Sequence, residues 1–278
     1  MPMINMESTT LSTVKNVDTE LVFWHRPEDM SVVSDFTKDK PEECMPAMKA
    51  LDEKHPVQVQ DIRGQEGRFT LGQNGFQYVH HDILGFDKAS DSTHVESVII
   101  PEMEKLVQQI TDATRTITFT HRVRCFADDS AMLANNRAPA HIVHSDFTAA
   151  GALCHLRSVV QDAEERQRLL EGRVQIINVW RPLKTIERDP LATGDKTALQ
   201  NRLVLPTGWN ELGKYAFNPR QKWYYVGGQR PQEAPIFRQF DSQEDQGGMT
   251  LPHTAFVDPS STSGPARESI EIKMFAFM

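Results

Sequence analysis

The sequence predicts a mainly β protein with flanking helices, folded as a jelly roll of two facing sheets. Three observations carry that reading: short alternating or β-branched runs crowd the second half of the chain, clusters of Pro, Gly, Asp and Ser separate them, and helical patterns are few. No stretch repeats with a period of about 20 to 50 residues, which sets solenoids and propellers aside.

Taken in order, residues 1–15 read as a polar tail, and the whole of 1–278 as one domain whose jelly-roll core spans about 56–278 behind an N-terminal extension. Between Pro56 and Val79 the apolar residues Val57, Val59, Phe69, Leu71, Phe76 and Tyr78 form short runs broken by glycines, a pattern of hairpin strands. Pro101 opens a helix whose Met103, Leu106, Val107 and Ile110 share one face. Arg115 to Arg124 alternates Ile117, Phe119 and Val123 with polar residues, as a half-buried strand does. Leu153 to Leu170 reads as a surface helix with Gly172 as its C-terminal cap. Val174 to Trp180, Trp223 to Val226, Pro235 to Phe240, Leu251 to Val257 and Ser269 to Phe277 read as strands, with turns over 241–248 and 258–265. The helices are expected outside one sheet.

Composition excludes several classes. Hydrophobic residues at 39% and charged residues at 24% are those of an ordinary globular chain. A formal net charge of -8 and the lack of a basic tract argue against a nucleic-acid partner. Cys44, Cys125 and Cys154 have neither metal-finger spacing nor the density of a disulfide scaffold, and read as reduced thiols. The first residues lack the apolar stretch of a leader, and no apolar run reaches the ~18 residues of a membrane helix. A cytoplasmic protein with no membrane partner is expected, and a homodimer is left open.

The chemistry concentrates in Val143-His144-Ser145-Asp146, where a strand would end. Side chains two apart on extended backbone point the same way, so His144 and Asp146 can reach one ion. The pair alone is weak evidence: 10 histidines and 38 acids in 278 residues give roughly 1.4 such spacings by chance. His80-His81-Asp82 and His94-Val95-Glu96 share it and read as decoys. His253 is the expected third ligand. Two imidazoles and a carboxylate on one face of an octahedron leave three positions open, the arrangement of non-haem Fe(II) oxygenases. Arg267 is expected to fold back beside His253 on an adjacent antiparallel strand, where its planar fork suits the far carboxylate of 2-oxoglutarate, with Ser269 adding a hydroxyl. A rival reading is another metal-dependent cupin-type enzyme, an isomerase or a 2-oxoglutarate-independent oxygenase, and Arg267 discriminates because such enzymes need no dicarboxylate anchor. Phe147, Trp223, Tyr225, Phe237 and Phe256 are offered as an apolar pocket wall, with core packing the plainer reading of each.

With His144 and Asp146, the stretches Gly172 to Leu183, Phe240-Asp241-Ser242, Pro252 to Phe256 and Arg267 to Glu271 form a series. It resembles the fungal and bacterial family of cephamycin-hydroxylase-like and gibberellin-desaturase-like proteins, which includes a hydroxylase of aspergillic acid biosynthesis. The resemblance covers about residues 65–278. It implies a double-stranded β-helix of cupin-like type, with Fe(II), 2-oxoglutarate and O₂ used to hydroxylate, desaturate or cyclise a small molecule of secondary metabolism while 2-oxoglutarate is decarboxylated to succinate. Carried over, His144, Asp146 and His253 match the catalytic metal ligands and Arg267 the carboxylate anchor. Asn178, Trp180 and Arg181 match a second recurrent motif. Asn178 and Arg181 are expected to bind the cofactor; for Arg181 a carboxylate-holding role and a buried pairing with Asp189 or Asp241 stand level, and Trp180 is equally readable as core.

Overall fold

A computed structural model of the chain describes residues 14–28, 46, 49–124, 139–195, 202–206, 211–244 and 250–278. The tail expected at 1–15 falls almost wholly outside these residues, as do Cys44 and Cys125; Cys154 is exposed and in no disulfide. Among the described residues thirteen strands form two sheets. The larger runs in space through β1 (Val17–Trp24), β2 (Asp52–Asp61), β10 (Trp223–Tyr225), β7 (Leu191–Gly194), β12 (His253–Ala255), β5 (His144–Ser145), β9 (Glu211–Tyr215) and β8 (Arg202–Pro206). The smaller runs through β3 (Phe76–His80), β11 (Glu233–Asp241), β6 (Val174–Pro182), β13 (Ser269–Phe277) and β4 (Arg115–Arg124). This is the jelly roll that the turn-separated runs predict.

The smaller sheet is buried on both faces, which is why β6 is a near-continuous apolar run rather than an alternating one. Its outer face, with Ile177, Val179, Ile270, Ile272 and Met274, packs on Met103, Leu106 and Val107 of helix α1 (Ile100–Thr111). The helix begins earlier than its Pro101 signal, at Ser92, and passes through a π turn at Val95–Ile99. Pro101, having no N–H to donate, sits at that seam. On the inner face, Ile176, Phe275 and Phe277 pack with Phe147 and with Ala152 and Leu156 of helix α2 (Ala149–Val159). The single helix read over Leu153 to Leu170 is in fact α2 and α3 (Ala163–Glu171), with Asp162 accepting from the Glu165 N–H to start the second. Gly172 ends α3 with extended backbone, not a left-handed cap; a Cβ there would lie 2.1 Å from the Met278 carbonyl oxygen.

Three expectations need correction. The runs from Pro56 to Val79 are not a hairpin: β2 pairs with β1 and β10, β3 pairs with β11 in the other sheet, and Phe69 and Leu71 lie in the connection. Residues 17–24, assigned no strand from the sequence, form the edge of the larger sheet. Third, Ile117, Phe119 and Val123 do not share a face. A bulge leaves Phe119 unpaired between Thr118 (opposite Met274) and Thr120 (opposite Lys273), so Val123 joins the outer cluster while Ile117 and Phe119 join the inner one.

Candidate functional site

The two sheets enclose a cavity of about 690 Å³. His144 and His253 face each other across a direct antiparallel pairing of β5 with β12, their rings 4.4 Å apart, and Asp146 follows where β5 ends. One imidazole nitrogen from each histidine and one carboxylate oxygen of Asp146 lie within 4.8 Å of one another. Among the described residues no other His, Cys, Asp or Glu group is so gathered.

Each imidazole has its tautomer set by a neighbouring carbonyl. His144 Nδ1 lies 2.7 Å from the Ile142 carbonyl oxygen and His253 Nδ1 3.3 Å from that of Leu251. A carbonyl only accepts, so Nδ1 carries the proton in both rings and the Nε2 lone pairs are left for a metal. Burial, reinforced by the neighbouring ring, holds His144 down at about 4, and burial likewise keeps His253 below the usual histidine range. Both rings are therefore neutral near neutral pH, as ligands must be.

Asp146 is held at both oxygens. Burial alone would favour its protonated form, but the Lys273 ammonium at 2.7 Å from Oδ1, with the histidines, keeps it well below the ordinary carboxylate range. Asn178 Nδ2 donates to Oδ2 at 2.6 Å and to Glu271 at 3.2 Å. Gln239 acts as a strap between the segments that carry Asp146 and His253: its Oε1 accepts from the Asp146 N–H at 2.9 Å, and its Nε2 donates to the Leu251 carbonyl at 2.9 Å. Gln239 is the extra residue of a second bulge, where β11 slips against β6 between Arg238 and Phe240.

Arg267 faces the same cavity, though not by the route expected. β12 and β13 are not neighbours; they belong to opposite sheets, and Arg267 lies just before β13. It is 5% exposed, its guanidinium rests 5.2 Å over the Trp180 ring, and Nη1 donates to the Asp189 carbonyl at 2.7 Å. Burial pulls it down to about 10, so it stays charged. Its Nε and the Ser269 hydroxyl are buried and, among the described residues, have no hydrogen-bond partner. Trp180 is thus both core and cavity wall.

Arg181 does not reach the cavity. As an odd neighbour of Trp180 on β6 it points to the outer face, stacks on Phe86 at 4.3 Å and donates to the carbonyls of His81 and Pro231 at 2.7 Å each; it pairs with neither Asp189 nor Asp241. Of the aromatics offered as wall, Phe147 lines the cavity and Phe237 backs the His253 ring at 4.9 Å, whereas Trp223, Tyr225 and Phe256 are core. His80 and Asp82 lie exposed at the surface, and neither they nor His94 and Glu96 line the cavity. Lys273, Glu271 and Gln239 were not singled out from the sequence. For the first two a signal existed: Arg267, Ser269, Glu271 and Lys273 are alternate residues, and the last three share the inner face of β13.

A jelly roll with a neutral His, an ionised Asp and a neutral His at its core, beside a buried guanidinium, defines the class of mononuclear metal oxygenases. The comparisons agree. A family model described as an oxidoreductase/YMDC permease-like domain matches residues 21–277. The hydroxylase/desaturase efuI of Hormonema carpetanum is 34% identical over 80% of this chain and 83% of its own. The alpha-ketoglutarate-dependent dioxygenase phiK of a fungal species is 30% identical over 81% of this chain and 84% of its own. A solved structure of the iron and alpha-ketoglutarate-dependent endoperoxidase NvfI superposes with a TM-score of 0.79 at 25% identity, over 95% of this chain and 98% of that one. The chain belongs to this family of Fe(II)/2-oxoglutarate-dependent oxygenases of fungal secondary metabolism. Among the described residues no helix is long and apolar enough to cross a membrane.

Proposed function

We propose that His144, Asp146 and His253 hold Fe(II) and that Arg267, with Ser269, takes the distal carboxylate of 2-oxoglutarate, so that the enzyme hydroxylates, desaturates or ring-closes a small molecule. The single observation that carries this is the buried Arg267 Nε, without a hydrogen-bond partner among the described residues, on a guanidinium that lines the same cavity as the three-residue cluster. A buried charged group left partly unsatisfied is costly, and an anionic ligand removes that cost. The donor set fits the ion: two Nε2 lone pairs and one carboxylate oxygen, with the rest of the coordination sphere left for ligands.

When bound, the iron supplies the redox chemistry that couples decarboxylation of the keto acid and O₂ to substrate oxidation. The chain's own residues do the rest. Asn178 and Lys273 fix the Asp146 carboxylate, the carbonyls of Ile142 and Leu251 fix the imidazoles, and Trp180 supports the guanidinium. Phe119, Phe147, Leu191 and Leu212 give the cavity its apolar side, where an organic substrate is held away from water. Asn178 therefore serves the metal ligand rather than the keto acid, and a cytoplasmic setting remains part of this reading.

The test is succinate release from 2-oxoglutarate by protein incubated with Fe(II), O₂ and metabolites of neighbouring biosynthetic steps. The reading requires release that depends on all three and is lost in His253→Ala. Undiminished release in that variant overturns it.

A further inference from the structure

We infer that Asp189 is a positioning residue for Arg267, its left-handed backbone turning a carbonyl onto one arm of the guanidinium so that the Nε edge is left for the keto-acid carboxylate. This rests on the role proposed above for Arg267. Among the described residues only two that are not glycine have positive φ, Asp112 at 58° and Asp189 at 53°. Asp112 ends helix α1, a place where that conformation is ordinary. Asp189 ends no helix. It lies between β6 and β7 and precedes Pro190, and the residue before a proline is normally driven to extended backbone. The conformation is thus doubly disfavoured and is held by its surroundings.

Those surroundings belong to the site. The Asp189 carbonyl accepts from Arg267 Nη1 at 2.7 Å. Its carboxylate lies 3.5 Å from His141 Nε2, three residues before His144, and 3.4 Å from Arg188 Nε. The next carbonyl, of Pro190, accepts from the Phe256 N–H at 3.2 Å, and β7 then pairs directly with β12, which carries His253. One short segment therefore ties the anchor to the metal strand. With one N–H of Nη1 occupied and the ring of Trp180 against the guanidinium, the donors left over lie on the edge formed by Nε and Nη2, and Nε is buried with no partner among the described residues. An extended Asp189 would turn the carbonyl away and leave the fork free to rotate.

The test titrates 2-oxoglutarate into Fe(II)-loaded protein without oxygen, following the visible charge-transfer band, in the wild type, Asp189→Gly, Asp189→Asn, Asp189→Val and Arg267→Gln. Gly and Asn keep the left-handed backbone and the carbonyl, so their Kd stays within about threefold of wild type; Val disfavours it and raises Kd about tenfold. Co(II) affinity and far-UV circular dichroism stay unchanged in all. A folded valine variant with wild-type Kd, or an asparagine variant already tenfold weaker, overturns the inference. If valine prevents folding, Asp189→Ala against Asp189→Gly reads the same contrast, and equal Kd values overturn it. Arg267→Gln separates the two levels: if it binds 2-oxoglutarate as the wild type does, the anchor itself is wrong, whereas a weak Arg267→Gln with a normal valine variant condemns Asp189 alone.

Discussion

At the scale of single residues, the gathering of His144, Asp146 and His253 was legible because their chemistry is written in residue types, and their supports were not because theirs is written in geometry. His144 and Asp146 share a face by spacing alone, and Arg267 is a guanidinium wherever it lies. Nothing in the sequence says that Asn178 bonds Asp146, whereas alternation along β6 sets Arg181 on the face opposite Asn178 and Trp180. Asn178→Ala removes a neutral donor from a ligand carboxylate and should lower Co(II) affinity of the metal-free protein on the order of 10–100-fold, read by calorimetry. An unchanged affinity would deny Asn178 that task. Arg267→Lys keeps the charge but loses the planar fork; KM for 2-oxoglutarate should rise about tenfold or more while Co(II) affinity holds.

At the scale of elements, alternating or β-branched runs marked β4, β6, β11 and β13, but nothing marked the bulges of β4 and β11. One extra residue reverses the facing of everything beyond it, and nothing local marks Phe119 or Gln239 as extra. The Phe240-Asp241-Ser242 motif was legible as a signature only; its work is to tie the end of β11 to the start of β6. Asp241 accepts from Arg173, Gln175 and Arg238, and the Ser242 hydroxyl accepts from the Val174 N–H at 2.9 Å. Burial favours the protonated acid, yet Arg173, Gln175, the Gln243 N–H and Arg238 outweigh it and hold Asp241 below its ordinary value. Its folded value being the lower one, its contribution is present above the unfolded value of about 3.9 and is lost as pH falls through the folded value. Asp241→Asn should cost about 3 kcal/mol at neutral pH, leaving buried Arg238 short of a partner, and should flatten the acid limb of urea midpoint against pH. A loss under 1 kcal/mol, roughly that of a surface pair, would contradict this account.

At the scale of the molecule, strand-and-turn counting gave two sheets and a helix layer, but not which sheet each strand joins. β12 and β13 follow one another in sequence and were expected to pair; instead the chain crosses from one sheet to the other between them, and that crossing is what sets His253 and Arg267 on opposite walls of one cavity. The edge strand β1 went unread because Val22 and Trp24 interrupt the alternation of Val17, Leu21 and Phe23. If these walls meet around one ion and one diacid, crystals grown without oxygen in Fe(II) and 2-oxoglutarate, with an anomalous difference map at the iron edge, will show one peak among His144 Nε2, Asp146 and His253 Nε2, with density for the keto acid reaching Arg267. A peak elsewhere, or Arg267 bonded to Asp189 alone with the diacid turned away, rules that arrangement out.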